Sequence, residues 1–144
     1  MDCKLGRGDD ALRTLRKIMP DSEKNPSAQS GAEPYVFTNC YSTHPKYYGR
    51  SYQSWTTGTS AWSLRGLYEG ILGVKRDYEG LRVEPALPND WDSARLTRRF
   101  RGADYAFTYR RTGKPGITVD GETISGTQLP DFRDGKKHLV EVTL

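Results

Sequence analysis

Cysteine, histidine and methionine are scarce: the 144 residues hold two of each. Cys3 and Cys40 make no CxxC pair and no other metal-ligand spacing, which removes a zinc motif and a disulfide framework from consideration. They read as free thiols of a reducing compartment. No apolar run approaches the ~20 residues that cross a bilayer. The N-terminus has no signal-peptide core. Cytoplasm is therefore the expected location, and a membrane is not an expected partner. Apolar residues are also few, at 35%, and the mean hydropathy is −0.78.

What the chain has instead is aromatic and basic. Nine tyrosines and three tryptophans carry much of the apolar surface; such rings bury area while keeping a polar handle, and they suit sugar faces. The length suffices for one domain with a real core. Lysine and arginine number 22 against 18 acids, a net charge of +4. Arginine suits bidentate binding of phosphate or carboxylate. An excess this small does not by itself imply nucleic acid.

Apolar spacing divides the chain into a helical part and a strand part. Gly6 and Gly8 lie in an expected loop. Asp9 is the expected N-cap of a helix in which Leu12, Leu15, Ile18 and Met19 recur at helical spacing until Pro20. Residues 21–32 are polar and loop-like. Glu33-Pro34 predicts a helix start, with proline at the first helical position. Residues 42–53, with His44 and Tyr47-Tyr48-Gly49, read as a loop. Leu64, Leu67, Tyr68, Ile71 and Leu72 then follow the i, i+3, i+4, i+7, i+8 series of one helix face. Gly66 and Gly70 interrupt it and allow close approach, and Gly73 is placed for a left-handed C-terminal cap.

After Gly73 the period falls to 2. Leu81, Val83 and Pro85 alternate with Arg82 and Glu84. So do Leu96, Arg98 and Phe100, then Tyr105, Phe107 and Tyr109, then Ile117 and Val119, and finally Val140, Val142 and Leu144. Turn signals lie between them, among them Arg101-Gly102, Thr112-Gly113 and Asp120-Gly121, and the pattern predicts a sandwich or barrel.

The chemistry-bearing residues are fewer. Arg95, Arg98, Arg99, Arg101, Arg110 and Arg111 interleave with Phe100, Tyr105, Phe107 and Tyr109, a composition that also binds single-stranded nucleic acid. Arg98 and Arg99 fall on opposite faces of a strand, however, and Asp90, Asp92 and Asp104 are near in sequence as partners. No nucleic-acid partner is expected. His44 sits in a loop, and His138 precedes the last strand; neither has a carboxylate and a nucleophile at an evident spacing. No metal motif exists. Thr57-Gly58-Thr59 precedes the central helix. Two hydroxyls, an approachable backbone N–H and the positive helix end are a recipe for holding phosphate, sulfate or carboxylate. The plainer reading is that Thr59 or Ser60 caps the helix.

In order, the chain carries Glu33-Pro34-Tyr35-Val36, His44-Pro45, Trp55 to Trp62, Ile71-Leu72-Gly73-Val74, Gly80-Leu81-Arg82-Val83-Glu84-Pro85 and Leu87-Pro88-Asn89-Asp90-Trp91. This series resembles the C-terminal part of the inverting disaccharide phosphorylases of glycoside hydrolase family 94. The family shows Trp-Leu-(Ser/Thr)-Gly-Thr-Ala where this chain has Trp55-Thr56-Thr57-Gly58-Thr59-Ser60. It also shows Ile-Leu-Gly-Ile, and Gly-Leu-Arg-Ile-Asp-Pro-Cys-Ile-Pro before a tryptophan. Thr56, Glu84 and Ala86 are departures of the kind found within a family. Length is the larger departure, because members are far longer.

The resemblance implies an α+β fold: the end of an (α/α) barrel, with helices in residues 9–73, then an antiparallel C-terminal β-sandwich. The implied domains are 1–78 and 79–144. It implies reversible phosphorolysis of a β-linked disaccharide to a sugar 1-phosphate, with inorganic phosphate as co-substrate and no other cofactor. Thr57, Gly58 and Thr59 match positions that contact phosphate. The general acid is an aspartate upstream of the part that matches, so no residue here is assigned to catalysis. Glu33 and Asp77 match family positions without being that acid. The implied partners are carbohydrate, phosphate and the upstream part of the barrel. A non-catalytic carbohydrate-binding or structural β-sandwich module is the alternative.

Overall fold

The computed structural model describes residues 2–20 and 23–144. Asp21 and Ser22, part of the expected loop at 21–32, lie outside the described residues, as does Met1 at the start of the expected N-terminal loop. The chain is mixed helix and sheet, an α+β protein. It divides into two compact units, Met1–Ile71 and Leu72–Leu144.

In the first unit, a 3-10 turn over Asp2–Leu5 occupies the expected N-terminal loop and leads into α1, Gly8–Ile18. Its half-buried face is Leu12, Leu15 and Ile18, while Met19 is exposed. The N-cap is Arg7, not Asp9; Asp9 and Asp10 lie in the first turn instead. There they complement the positive helix end. Met19 is extended, at ψ 140°, because the ring of Pro20 disfavours a helical residue before it.

Helix α2, Ser27–Ser30, is a single turn closed by Gly31 at φ +68°. No helix starts at Glu33-Pro34. The Val36 N–H closes a turn on the Glu33 carbonyl at 3.1 Å. Tyr35 to Thr38 are aromatic and β-branched, types that lose rotamer freedom in a helix. Strands β1, Cys40–Tyr41, and β2, Ser51–Tyr52, then pair antiparallel, so part of the expected loop at 42–53 is strand. The central helix α3 is Thr59–Arg65, and a π-helical stretch over Gly66–Ile71 continues it. The wider π turns rotate later residues out of the 3.6 alignment. That is why Ile71 is buried while Leu64 of the same expected face is 50% exposed. Gly70 is a close-approach position: a Cβ there would stand 2.9 Å from the Cys3 sulfur.

The second unit opens with Gly73 at φ +70°. Strands β3, Val74–Arg76, and β4, Leu81–Val83, form an antiparallel pair. This pairing draws residues 74–78 into the second unit and sets the junction at Ile71/Leu72, against the 78/79 expected from the sequence. The segment around Gln128 runs beside β4, with Leu129 N–H on the Leu81 carbonyl and Val83 N–H on the Thr127 carbonyl, both at 2.8 Å. The main sheet has five strands: β5 Ser93–Phe100, β6 Ala103–Arg110, β7 Gly116–Val119, β8 Glu122–Thr123 and β9 Lys137–Thr143. Their order is β5-β6-β9-β7-β8. The sheet is mixed rather than wholly antiparallel, since β9 runs parallel to β6. Alternation marks which face a residue takes and carries no direction, so the parallel pair has no signature in the sequence.

The core of this unit comes from the expected inward positions. Tyr105, Phe107 and Tyr109 on β6 are buried beside Val140 and Val142 of β9 and Val119 of β7. Their rings form a row, 6.4 and 6.3 Å between centroids. Each buried tyrosine finds an acceptor: Tyr109 donates to the Leu72 carbonyl at 2.8 Å and Tyr105 to the Pro130 carbonyl at 2.9 Å. Asp120 and Gly121, both at positive φ, make the two-residue turn between β7 and β8.

Candidate functional site

Thr57, Gly58 and Thr59 lie where the chain enters α3, with Gly58 as the N-cap and Thr59 as the first helical residue. Thr57 is thus in the loop before the helix. The helix is capped by neither Thr59 nor Ser60. The Thr59 N–H instead donates to the Thr57 hydroxyl at 3.1 Å. The two hydroxyls are 2.8 Å apart. The first intrahelical bond, Trp62 N–H to the Gly58 carbonyl, is 3.0 Å. The N–H groups of Gly58, Ser60 and Ala61 therefore have no acceptor among the described residues, as the first turn of any helix leaves them. Gly58 is exposed and Thr57 and Thr59 are half-buried. Gly58 has φ −83°, so its backbone does not require glycine. A Cβ there would meet the Trp62 ring at an ordinary 3.5 Å. What glycine contributes is a bare approach to the N–H.

The same unit joins Glu33 to Trp55 across 22 residues: the indole N–H donates to Glu33 Oε1 at 3.0 Å. That hydrogen bond, helped by Glu33's own backbone N–H, holds the carboxyl below its ordinary range. A carboxylate kept ionised is poorly suited to donate a proton near neutrality. The pairing has no signature in the sequence, because it depends on how the 33–39 segment turns. The Trp55 ring remains 71% exposed and that of Tyr35 76% exposed. His44 serves its own loop: Nδ1 accepts the Lys46 N–H at 3.2 Å. This leaves the other ring nitrogen as the one that carries a proton in the neutral form. Asp77, in the second unit, is a turn residue. Its carboxylate accepts the Glu79 N–H at 2.9 Å and meets Arg82 at 3.1 Å.

Three of the six arginines weighed as partners of Asp90, Asp92 and Asp104 make contacts with other groups. Arg98 donates to the Val74 carbonyl at 2.6 Å. Arg111 holds the carbonyls of Leu87, Pro88 and Trp91 at 3.0, 2.8 and 3.2 Å. Arg101 meets Asp131 at 2.7 Å. These three arginines tie strand β3 and two loops of the second unit to the main sheet. His138 lies within β9 rather than before it, and it contacts two carboxylates, Asp120 and Asp134. Among the described residues neither Cys3 nor Cys40 forms a disulfide. Among the described residues no group of three His, Cys, Asp or Glu side chains could hold a metal, and no helix is long and apolar enough to cross a membrane.

A family model for the glycosyl hydrolase 94 superfamily, catalytic domain, matches residues 1–73. The chain belongs to this superfamily. Several curated relatives of this family 94 chain are phosphorylases by name. Solabiose phosphorylase of Paenibacillus borealis is 40% identical over 99% of this chain and 19% of the relative. N,N'-diacetylchitobiose phosphorylase of Vibrio proteolyticus is 32% identical over 99% of this chain and 18% of the relative. Cellobionic acid phosphorylase of Neurospora crassa is 32% identical over 94% and 18%. The family 94 chain thus spans less than a fifth of the length of these relatives. A match to a catalytic domain disfavours the alternative of a stand-alone binding module.

Proposed function

We propose that this chain is the C-terminal part of a reversible disaccharide phosphorylase, the end of an (α/α) barrel followed by a β-sandwich module, and that Thr57, Gly58 and Thr59 form one wall of its phosphate site. One observation carries the site: an exposed glycine and three open N–H groups surround two hydroxyls at the entrance to α3. Two of phosphate's oxygens find donors there without a positive side chain, through the N–H groups and either hydroxyl.

In phosphorolysis with inversion, a phosphate oxygen bonds to the anomeric carbon from the face opposite the leaving group. The glycosidic oxygen departs with its electron pair and takes a proton from a general acid. Phosphate replaces the water that an inverting hydrolase activates, so no catalytic base is needed. The wall at Thr57 orients the attacking phosphate and spreads its charge. No residue of this chain is assigned to the acid, and Glu33, held ionised by Trp55, is not a candidate. The exposed Trp55 and Tyr35 each present a ring face that suits a sugar. Inorganic phosphate is a substrate here, and no further cofactor is required.

The test is Thr57→Ala in an intact homologue. The phosphate KM should rise by roughly 10-fold or more, the equivalent of about 1.4 kcal/mol for one lost hydrogen bond to a charged group. The disaccharide KM should change little. An unchanged phosphate dependence would leave Thr57 with only its local role, accepting the Thr59 N–H ahead of α3.

A further inference from the structure

The side chain of His138 is 8% exposed and lies on the inward face of β9. Nδ1 stands 2.7 Å from Asp120 Oδ2, and Nε2 stands 3.1 Å from Asp134 Oδ1. The ring cannot swing away, because it lies flat on Phe132, 3.5 Å between centroids at 4°. Tyr105 of β6 packs at 5.9 Å. A neutral imidazole has one N–H, so one nitrogen would turn a lone pair toward a carboxylate. Only the doubly protonated ring satisfies both contacts.

We propose that His138 is a pH-operated latch. As the imidazolium it ties the turn at Asp120-Gly121 and the loop at 131–136 to strand β9, and on losing a proton it lets that loop go. Each carboxylate is already placed by the backbone. Asp120 Oδ1 accepts the Leu139 N–H at 2.8 Å, and Asp134 Oδ1 also accepts the Lys136 N–H at 3.0 Å. Neither can retreat cheaply when the ring becomes neutral. Both tethered segments contain a non-glycine residue in the left-handed region, Asp120 at φ +52° and Arg133 at φ +53°. Such residues persist only where their surroundings hold them.

The charged and titratable groups facing the ring are few. Asp120 comes from the β7–β8 turn and Asp134 from the loop, with Lys136 acting on Asp134. Tyr105 comes from β6, its hydroxyl engaged by the Pro130 carbonyl at 2.9 Å and the Phe132 N–H at 3.4 Å. Asp131, farther along the loop, is neutralised by Arg101 and Arg133 at 2.7 and 2.8 Å. Burial opposes the charged ring, and the hydrogen bonds that the ring donates to Asp120 and Asp134 outweigh it, so the folded protein holds the proton more tightly than an ordinary histidine. The sign follows. The latch is fully closed below the ordinary value of about 6.5 and is lost as pH rises through the folded-state midpoint.

The experiment uses the 144-residue chain, labelled with 15N. Long-range proton–nitrogen spectra read both ring nitrogens of His138 across pH, while amide exchange reads Lys136 and Leu139. Both nitrogens should be protonated at pH 6, and the midpoint should lie above about 6.5, each unit of elevation meaning about tenfold tighter proton binding in the folded state. Exchange at the two amides, corrected for its intrinsic pH dependence, should accelerate as pH passes the midpoint. Asp134→Asn, an exposed change, should lower the midpoint and open the loop at a lower pH. A bare ring nitrogen at pH 6, a midpoint at or below the ordinary value, exchange that ignores the midpoint, or a midpoint indifferent to Asp134→Asn would each overturn the latch.

Discussion

Replacing Gly73 by alanine tests the packing of the second unit at a single point. Gly73 has φ +70°, and a Cβ there would stand 2.1 Å from the Glu84 carbonyl oxygen and 2.3 Å from the Pro85 nitrogen. Both neighbours are backbone and cannot rotate aside. The left-handed conformation alone costs an L-residue about 1–2 kcal/mol. Relieving the overlap also requires Glu84 to move off. That breaks its 2.9 Å N–H bond to the Gly73 carbonyl and strains the first rung of the hairpin, Val74 against Val83. Two lost hydrogen bonds are worth about 1 kcal/mol each, and unseating the wholly buried Val74 adds about 1.5–3 kcal/mol. The sum is about 5–7 kcal/mol, comparable to the whole stability of many small domains. Gly113 is the control: φ is +74° and nothing lies within 4 Å of its would-be Cβ. Gly113→Ala should cost only the conformational part and lower the melting temperature by about 4–8 °C per kcal/mol. Thermal melts by near-ultraviolet circular dichroism would compare the two, with amide exchange at Tyr105, Phe107 and Tyr109 locating the loss. If Gly73→Ala melts within a few degrees of Gly113→Ala, the two backbones are not in contact and the reasoning fails.

Tyr109→Phe leaves the buried Leu72 carbonyl without the donor that meets it at 2.8 Å, and should cost about 1–2 kcal/mol in a urea titration, with no change in slope. Burial raises the hydroxyl pKa of Tyr109 and of Tyr105, so both should ionise above the ordinary tyrosine value of about 10 in an alkaline absorbance titration. Because these groups are neutral when protonated and their folded-state values are raised, they stabilise the fold below about pH 10, and that contribution drains away as pH climbs through the raised values. The purified 144-residue chain should show no phosphate-dependent turnover of any disaccharide, since losing a general acid alone lowers rates by about 10²–10⁴; clear turnover would assign the acid to a residue within it.

Much of this molecule was legible from local pattern. The inward positions Tyr105, Phe107, Tyr109, Val140 and Val142 follow from period-2 alternation, because a strand has only two faces. Gly73 at positive φ and the Asp120-Gly121 turn follow from residue type, because few residues tolerate those angles. The order of motifs from Glu33 to Trp91 carries the family resemblance, and the entrance of α3 at Thr57-Gly58-Thr59 follows from the helical period that begins behind it. Tertiary structure decided the rest. Period does not encode strand direction, so β9 beside β6 in parallel was invisible. A π-helical stretch and an α-helix share the same residues, so the exposure of Leu64 depended on which winding the packing chose. Glu33 meets Trp55 across 22 residues, and His138 meets Asp120 across 18, besides Asp134 four residues away. Hydrogen bonds over such separations are set by where loops close, and no spacing rule in the chain records that.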